Sequence, residues 1–234
     1  MFSFRKKIFG KNNKKIIFLL SGWQGKIWNY YFTVKILEFN GFKSIVYEYD
    51  DNILSSSIKD TIDNTNEVKK DILKQINNYQ KIGYKDFSIL GTSYGSIIAF
   101  MVTNQTVNIS NIIINLTGSN LAEIVWSWDK GKGNLVKKGI IKQNISLKLL
   151  KEKWQKLSPI NNLNNLNNKK TLIYLAEKDE VIPFKFQSQL VKGLRQINPN
   201  IKVEIDKKFK HLLSAALNLL RYNKYINFLD NYRD

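Results

Sequence analysis

Six short apolar runs, separated by stretches of helical periodicity, limit what this chain can fold into more than any other feature. They cover residues 15–21, 43–49, 86–92, 111–116, 171–176 and 201–205. Between them, residues 26–40, 68–82, 94–103, 183–196 and 211–229 carry apolar side chains at helical spacing. Strands that alternate with helices predict βαβ units, hence an α/β fold with a mostly parallel central sheet and helices on both faces. Right-handed crossovers then gather the loops at the carboxyl ends of the strands, where such sheets carry their sites. A length of 234 residues suits one domain, 1–234, with about six core strands.

One interval breaks the rhythm. About fifty residues separate the fourth run from the fifth, far more than an ordinary connection. Residues 119–168 hold "VWSWDKGKGN", a helical stretch "SLKLLKEKWQKL" and the Asn-rich "PINNLNNLNNKK". This insertion reads either as a small helical cap over the site, with Trp126, Trp128 and Trp154 as apolar lining, or as an extra helix covering the sheet.

The corner "LGTSYGSII" lies between the third strand and its helix. A turn through Gly91, Thr92, Ser93, Tyr94, Gly95 and Ser96 has three explanations. It can be a nucleophile elbow, G-x-S-x-G, that lifts the Ser93 hydroxyl clear of the backbone. It can be a phosphate cradle at a helix N-terminus. It can also be a plain tight turn. A Walker loop needs Gly-Lys-Ser/Thr, which is absent, and a dinucleotide site wants an acidic residue roughly 20 positions on. No Asp or Glu occurs from Phe87 through Ala122, so nucleotide binding is disfavoured.

A serine hydroxyl needs a base at neutral pH. The chain has one histidine, His211, just after the last strand and at the same sheet edge as the elbow. A carboxylate must orient the imidazole. "LAEKDEVIP" ends the preceding strand, and Asp179 is the choice, with Glu177 and Glu180 as alternatives. Asp206 is a poorer candidate because it lies so close to His211 on its own strand.

The order Ser93, Asp179, His211 resembles that of the α/β-hydrolase superfamily, serine esterases and lipases among them, and the resemblance runs from "IIFLLSGWQG" to "FKHLLSA". It implies an oxyanion hole from the N–H of Tyr94, after the nucleophile, and of Trp23, in the loop after an early strand. The common His-Gly of that loop is Ser21-Gly22 here, which retains the glycine. The family's first two strands are expected to be missing or reduced to "FSFRKKIF". The implied activity is cleavage of carboxylic esters through an acyl-enzyme, without cofactor or metal. A thioesterase or lysophospholipase would use the same residues, and peptidase activity lacks an identifiable peptide-terminus pocket. The fold also serves as a non-catalytic binding scaffold.

Composition narrows the rest. There is no cysteine, so no disulfide framework or thiolate chemistry, and with one histidine a Cys/His zinc site is disfavoured. The net charge is +18, but the lysines are dispersed and no nucleic-acid signature accompanies them. They read as solvated faces, with weak attraction to anionic membrane or a phosphate-bearing substrate left open. The basic start "MFSFRKKIFGKNNKK" followed by "IIFLL" lacks the length and cleavage site of a signal peptide. A cytoplasmic enzyme acting on a small acyl ester or thioester is expected.

Overall fold

The computed structural model describes residues 2–230. All six expected strands form: β2 (Lys15–Leu20), β3 (Phe42–Tyr49), β4 (Phe87–Thr92), β5 (Ile109–Asn115), β6 (Lys170–Ala176) and β7 (Lys202–Asp206). They lie parallel in the order β3-β2-β4-β5-β6-β7. The sheet has seven strands rather than six, because β1 (Phe4–Phe9) pairs antiparallel with β3 at the edge. The stretch expected to be vestigial is therefore a full strand. Its charges disguised it: Arg5 reaches Glu48 at 2.9 Å, and Lys6 pairs with Asp71 at 2.7 Å.

Strands β2 and β6 run as nearly continuous apolar segments, and β3 and β4 are buried along their whole length, because both faces are covered. Alternation splits each strand between two cores. Ile16, Phe18 and Leu20 face one side, and Ile17 and Leu19 the other. The first core lies under α2 (Ile58–Lys81), α3 (Tyr94–Gln105) and α7 (Phe184–Ile197). The second lies under α1 (Tyr31–Phe39), α8 (His211–Leu219) and α9 (Tyr222–Asp230).

Two helices differ from expectation. Helix α2 begins at Ile58, ten residues before the apolar pattern does, because its first turns bury Thr61 and Thr65 in place of aliphatic residues. Ser57 caps it by accepting from the Asp60 N–H at 3.2 Å. The expected helix 211–229 is two helices. The N–H groups of Leu220 and Arg221 bond three residues back, to Leu217 and Asn218, and this tightened turn ends α8.

The 119–168 stretch contains α4 (Leu121–Ser127), α5 (Gly131–Lys142), α6 (Leu147–Lys153) and two single 3-10 turns. Val136, Ile140, Leu150, Trp154 and Leu157 join the first core. Its outer end reaches back to the loop after β3: Gln143 Nε2 donates to Ser56 O at 3.0 Å, and Lys132 meets Asp51 at 2.8 Å. Among the described residues, no helix is long and apolar enough to cross a membrane.

Candidate active site

The corner after β4 is forced by its neighbours. A Cβ on Gly91 would stand 2.5 Å from Ser96 Cα, and one on Gly95 would meet Ser21 O at 2.5 Å and Leu20 O closer still. The room next to Gly95 is thus filled by backbone at the end of β2. Ser93 pays for the sharp turn with φ +51° and ψ −117°, a region that costs a side-chain-bearing residue roughly 1–3 kcal/mol. Its N–H donates to Asn115 O at 2.9 Å, which ties the elbow to the end of β5. The result is a hydroxyl presented at the carboxyl edge of the sheet.

His211 is the first residue of α8 and is only 4% exposed. Its Nε2 lies 3.2 Å from Ser93 Oγ, and its Nδ1 lies 2.7 Å from Asp179 Oδ2. Asp179 is held on every side. Oδ1 accepts from the N–H of Val181 at 2.9 Å and of Ile182 at 2.7 Å, and Oδ2 also accepts from Gln187 Nε2 at 3.2 Å. The other two carboxylates considered are exposed: Glu180 accepts from the His211 N–H at 3.4 Å, and Glu177 stands 4.0 Å from Lys207.

Asp206 has another task. Its Oδ1 accepts from the N–H groups of Lys208 and Phe209 at 2.8 and 3.2 Å, and its Oδ2 from Ser214 Oγ at 3.0 Å. It shapes the turn that delivers His211. Burial pushes its carboxyl up, but those two N–H groups, the Ser214 hydroxyl and the charge of Arg221 outweigh this and leave it below the usual carboxylate range.

Gly22 lies against the elbow, where a Cβ would come within 3.2 Å of Ser93 Cβ and 3.3 Å of Thr92 O. The backbone N–H groups of Trp23 and Tyr94 donate to no acceptor among the described residues. Tyr94 points its ring into the core, where its hydroxyl donates to Ile53 O at 3.1 Å and meets Thr65 Oγ1 at 2.7 Å. Burial pushes that phenol well above its ordinary range, so it stays neutral.

The tryptophans separate. Trp128 stacks on Trp23, with ring centroids 5.9 Å apart and 11° between the planes, and its Nε1 donates to Val181 O at 2.7 Å. Trp23 Nε1 donates to Asp51 O at 2.9 Å. Trp126 packs half-buried against the core. Trp154 is 0% exposed with Nε1 on Ile58 O, so its ring has no surface to offer a substrate. That expectation is corrected: "KEKW" ends a helix whose buried face faces the core.

Sequence reasoning missed Gln187. Wholly buried on α7, it donates to Ile182 O at 2.6 Å and accepts from Ala176 N at 3.0 Å, locking the strand end and the Asp179 turn together. A glutamine on the apolar face of a helix was the available signal.

A mostly parallel sheet, helices on both faces and a serine corner after β4 define an α/β hydrolase. Its shape is similar to esterase Pf2001 of Pyrococcus furiosus, at 14% identity and a TM-score of 0.68 over 98% of this chain and 88% of that one. An acylaminoacyl peptidase of Pyrococcus horikoshii matches at 17% identity and a TM-score of 0.72, over 95% of this chain and 38% of that one. Est1E of Butyrivibrio proteoclasticus, solved with ferulic acid bound, matches at 13% identity and a TM-score of 0.62, over 97% and 96%. No curated protein matches the sequence. The profile of the prolyl oligopeptidase family matches residues 63–234, and the chain belongs to that family, within the serine-hydrolase branch of the fold.

Proposed function

We propose that the protein hydrolyses carboxylic esters with Ser93 as nucleophile, His211 as general base and Asp179 as the acid that orients it. The observation that carries this reading is the unbroken relay from Asp179 through His211 to Ser93, at 2.7 and 3.2 Å. Asp179 accepts from Nδ1–H and so leaves Nε2 free to take the Ser93 proton as Oγ attacks a carbonyl carbon. The N–H groups of Trp23 and Tyr94 stabilise the oxyanion of the tetrahedral intermediate. The imidazolium then gives its proton to the leaving alcohol. A water deprotonated by His211 attacks the acyl-enzyme, and collapse of the second intermediate returns the proton to Ser93.

The stacked indoles of Trp23, which follows the Gly22 packed against Ser93, and Trp128 favour an apolar acyl group in this reading. The stretch carrying Trp128 acts as a fixed cap in this reading. A second reading, cleavage of aminoacyl or peptide bonds, is favoured by the family match. A p-nitrophenyl ester series run beside aminoacyl p-nitroanilides, with wild type and Ser93→Ala, tests both. Serine-dependent ester turnover supports the first reading, amide turnover at comparable kcat/KM shifts the function to peptide bonds, and turnover unchanged in Ser93→Ala overturns both.

A further inference from the structure

Two elements leave the Ser93 corner in different directions and meet again. The loop through Gly22 continues into the 3-10 turn Ile27–Tyr30 and α1, while the turn before His211 continues into α8. They rejoin where Thr33 Oγ1 donates to Leu219 O at 2.8 Å, and Tyr30, Val34, Leu37 and Leu219 share one core. Both therefore cover the same face of the sheet and flank the candidate site.

The solvent side of this pair is apolar. Trp28 is 73% exposed, Phe32 69% and Leu212 80%, with Tyr31, Leu213 and Phe209 also open. Helix α8, "HLLSAALNL", presents no charged side chain at all. A surface helix normally carries its charges on the solvent face. Around this apolar area sit ammonium groups. Lys207, Lys208 and Lys210 neighbour Phe209 in the exposed turn just before His211, and Lys26 and Lys35 neighbour Trp28 and Phe32 in the chain; Lys26 pairs with Glu48 at 3.3 Å, Lys35 with Glu38 at 3.0 Å, and Lys207 stands 4.0 Å from Glu177. The whole chain carries +18.

We propose that this face docks on an anionic lipid bilayer, with the aromatic and leucine side chains entering the interface and the lysines meeting the headgroups. Trp, Phe and Leu beside Lys are the composition of a peripheral membrane anchor. A second copy of this chain is the less favoured occupant, because two +18 surfaces repel. Docked this way, the Ser93 corner lies at the edge of the bilayer contact, so an amphiphilic acyl ester could pass from the lipid to the nucleophile. That last use rests on the ester-hydrolase reading, whereas the docking does not.

The test is cosedimentation of the full chain with phosphatidylcholine vesicles, with and without phosphatidylglycerol, alongside light scattering of the protein alone. Phe32→Glu/Leu212→Glu changes two open side chains and is expected to leave the fold and p-nitrophenyl acetate turnover intact. The expected result is binding only to the anionic vesicles, weakened by about tenfold or more in the double variant and by raised salt, since screening shortens electrostatic reach. Ser93→Ala should bind like wild type, so a failure of the catalytic reading leaves the docking result standing. Absence of binding to anionic vesicles overturns the proposal, as does equal binding by the double variant. A dimer that the double variant dissociates, without vesicle binding, assigns the face to a second copy and also overturns it.

Discussion

Trp23 and Trp128 stack face to face, and each indole is anchored through its Nε1, Trp23 on Asp51 O and Trp128 on Val181 O. One residue follows Gly22, which lies against Ser93, and the other belongs to the 119–168 stretch. The pair therefore joins that stretch to both the Gly22 loop and the turn that holds Asp179. Trp128→Ala is expected to raise KM for long-chain esters several-fold while sparing acetate esters, because only the longer acyl group reaches the indoles. Lost stacking adds about 0.5–1.5 kcal/mol of destabilisation. A chain-length profile of kcat/KM for variant and wild type checks this, and an unchanged profile removes the indoles from the account.

Gln187 is expected to act on rate through Asp179. Gln187→Leu strips the Asp179 turn of a donor and leaves the buried Ala176 N–H and Ile182 carbonyl unpaired, at a cost of about 1–3 kcal/mol for each such group. The account predicts a lower kcat with KM nearly unchanged, together with a lower Tm. Gln187→Glu retains an acceptor for Ala176 but sets a like charge against Asp179, and it should be worse for rate than for folding.

Acid should loosen the His211 turn. Asp206 is held below the usual carboxylate range, so it binds its proton more readily unfolded than folded. Its stabilisation is complete above the unfolded pKa and is lost as pH falls through the lower, folded one. Asp206→Asn should thus be less stable than wild type at neutral pH, with the gap closing in strong acid. Urea melts of both proteins across that range check the sign. Burial pushes Glu48 up, but the Ile27 N–H, Arg5 and Lys26 outweigh this and hold it low as well, so it should add to the acid sensitivity of wild type.

Much of this was legible in the sequence because the parallel strands are buried on both faces and read as apolar runs. The G-x-S-x-G corner and a single histidine left few pairings for Ser93. Asp179 could be preferred over Glu177 and Glu180 from the end of its strand, but only the fold shows Asp179 buried with four donors around it, while the two glutamates face solvent. Other features were hidden for physical reasons. β1 pairs through its backbone while its charged side chains find partners on other elements, so its sequence carries no strand period. Thr61 and Thr65 fill a helix face that apolar residues usually occupy, and Thr65 back-bonds to Thr61 O at 2.6 Å. Trp154 was indistinguishable from its neighbours by composition, since burial depends on which helix face meets the core.

Backbone strain at Ser93 gives a prediction in which stability and activity separate. Ser93→Gly removes the side chain that makes φ +51° costly and should raise Tm while abolishing turnover. Ser93→Ala should abolish turnover without that gain, because its Cβ retains the strain. Matched thermal melts of the two variants decide the point.

The most direct measurement is covalent trapping with an alkyl fluorophosphonate, followed by peptide mapping of the adduct. Attack by an activated serine expels fluoride and leaves the phosphonyl group on that oxygen. The account predicts a single adduct on the peptide that carries Ser93, absent in Ser93→Ala and formed about a thousandfold more slowly in His211→Ala. An adduct on another residue, or none while ester turnover persists, would contradict the assignment of Ser93 as nucleophile.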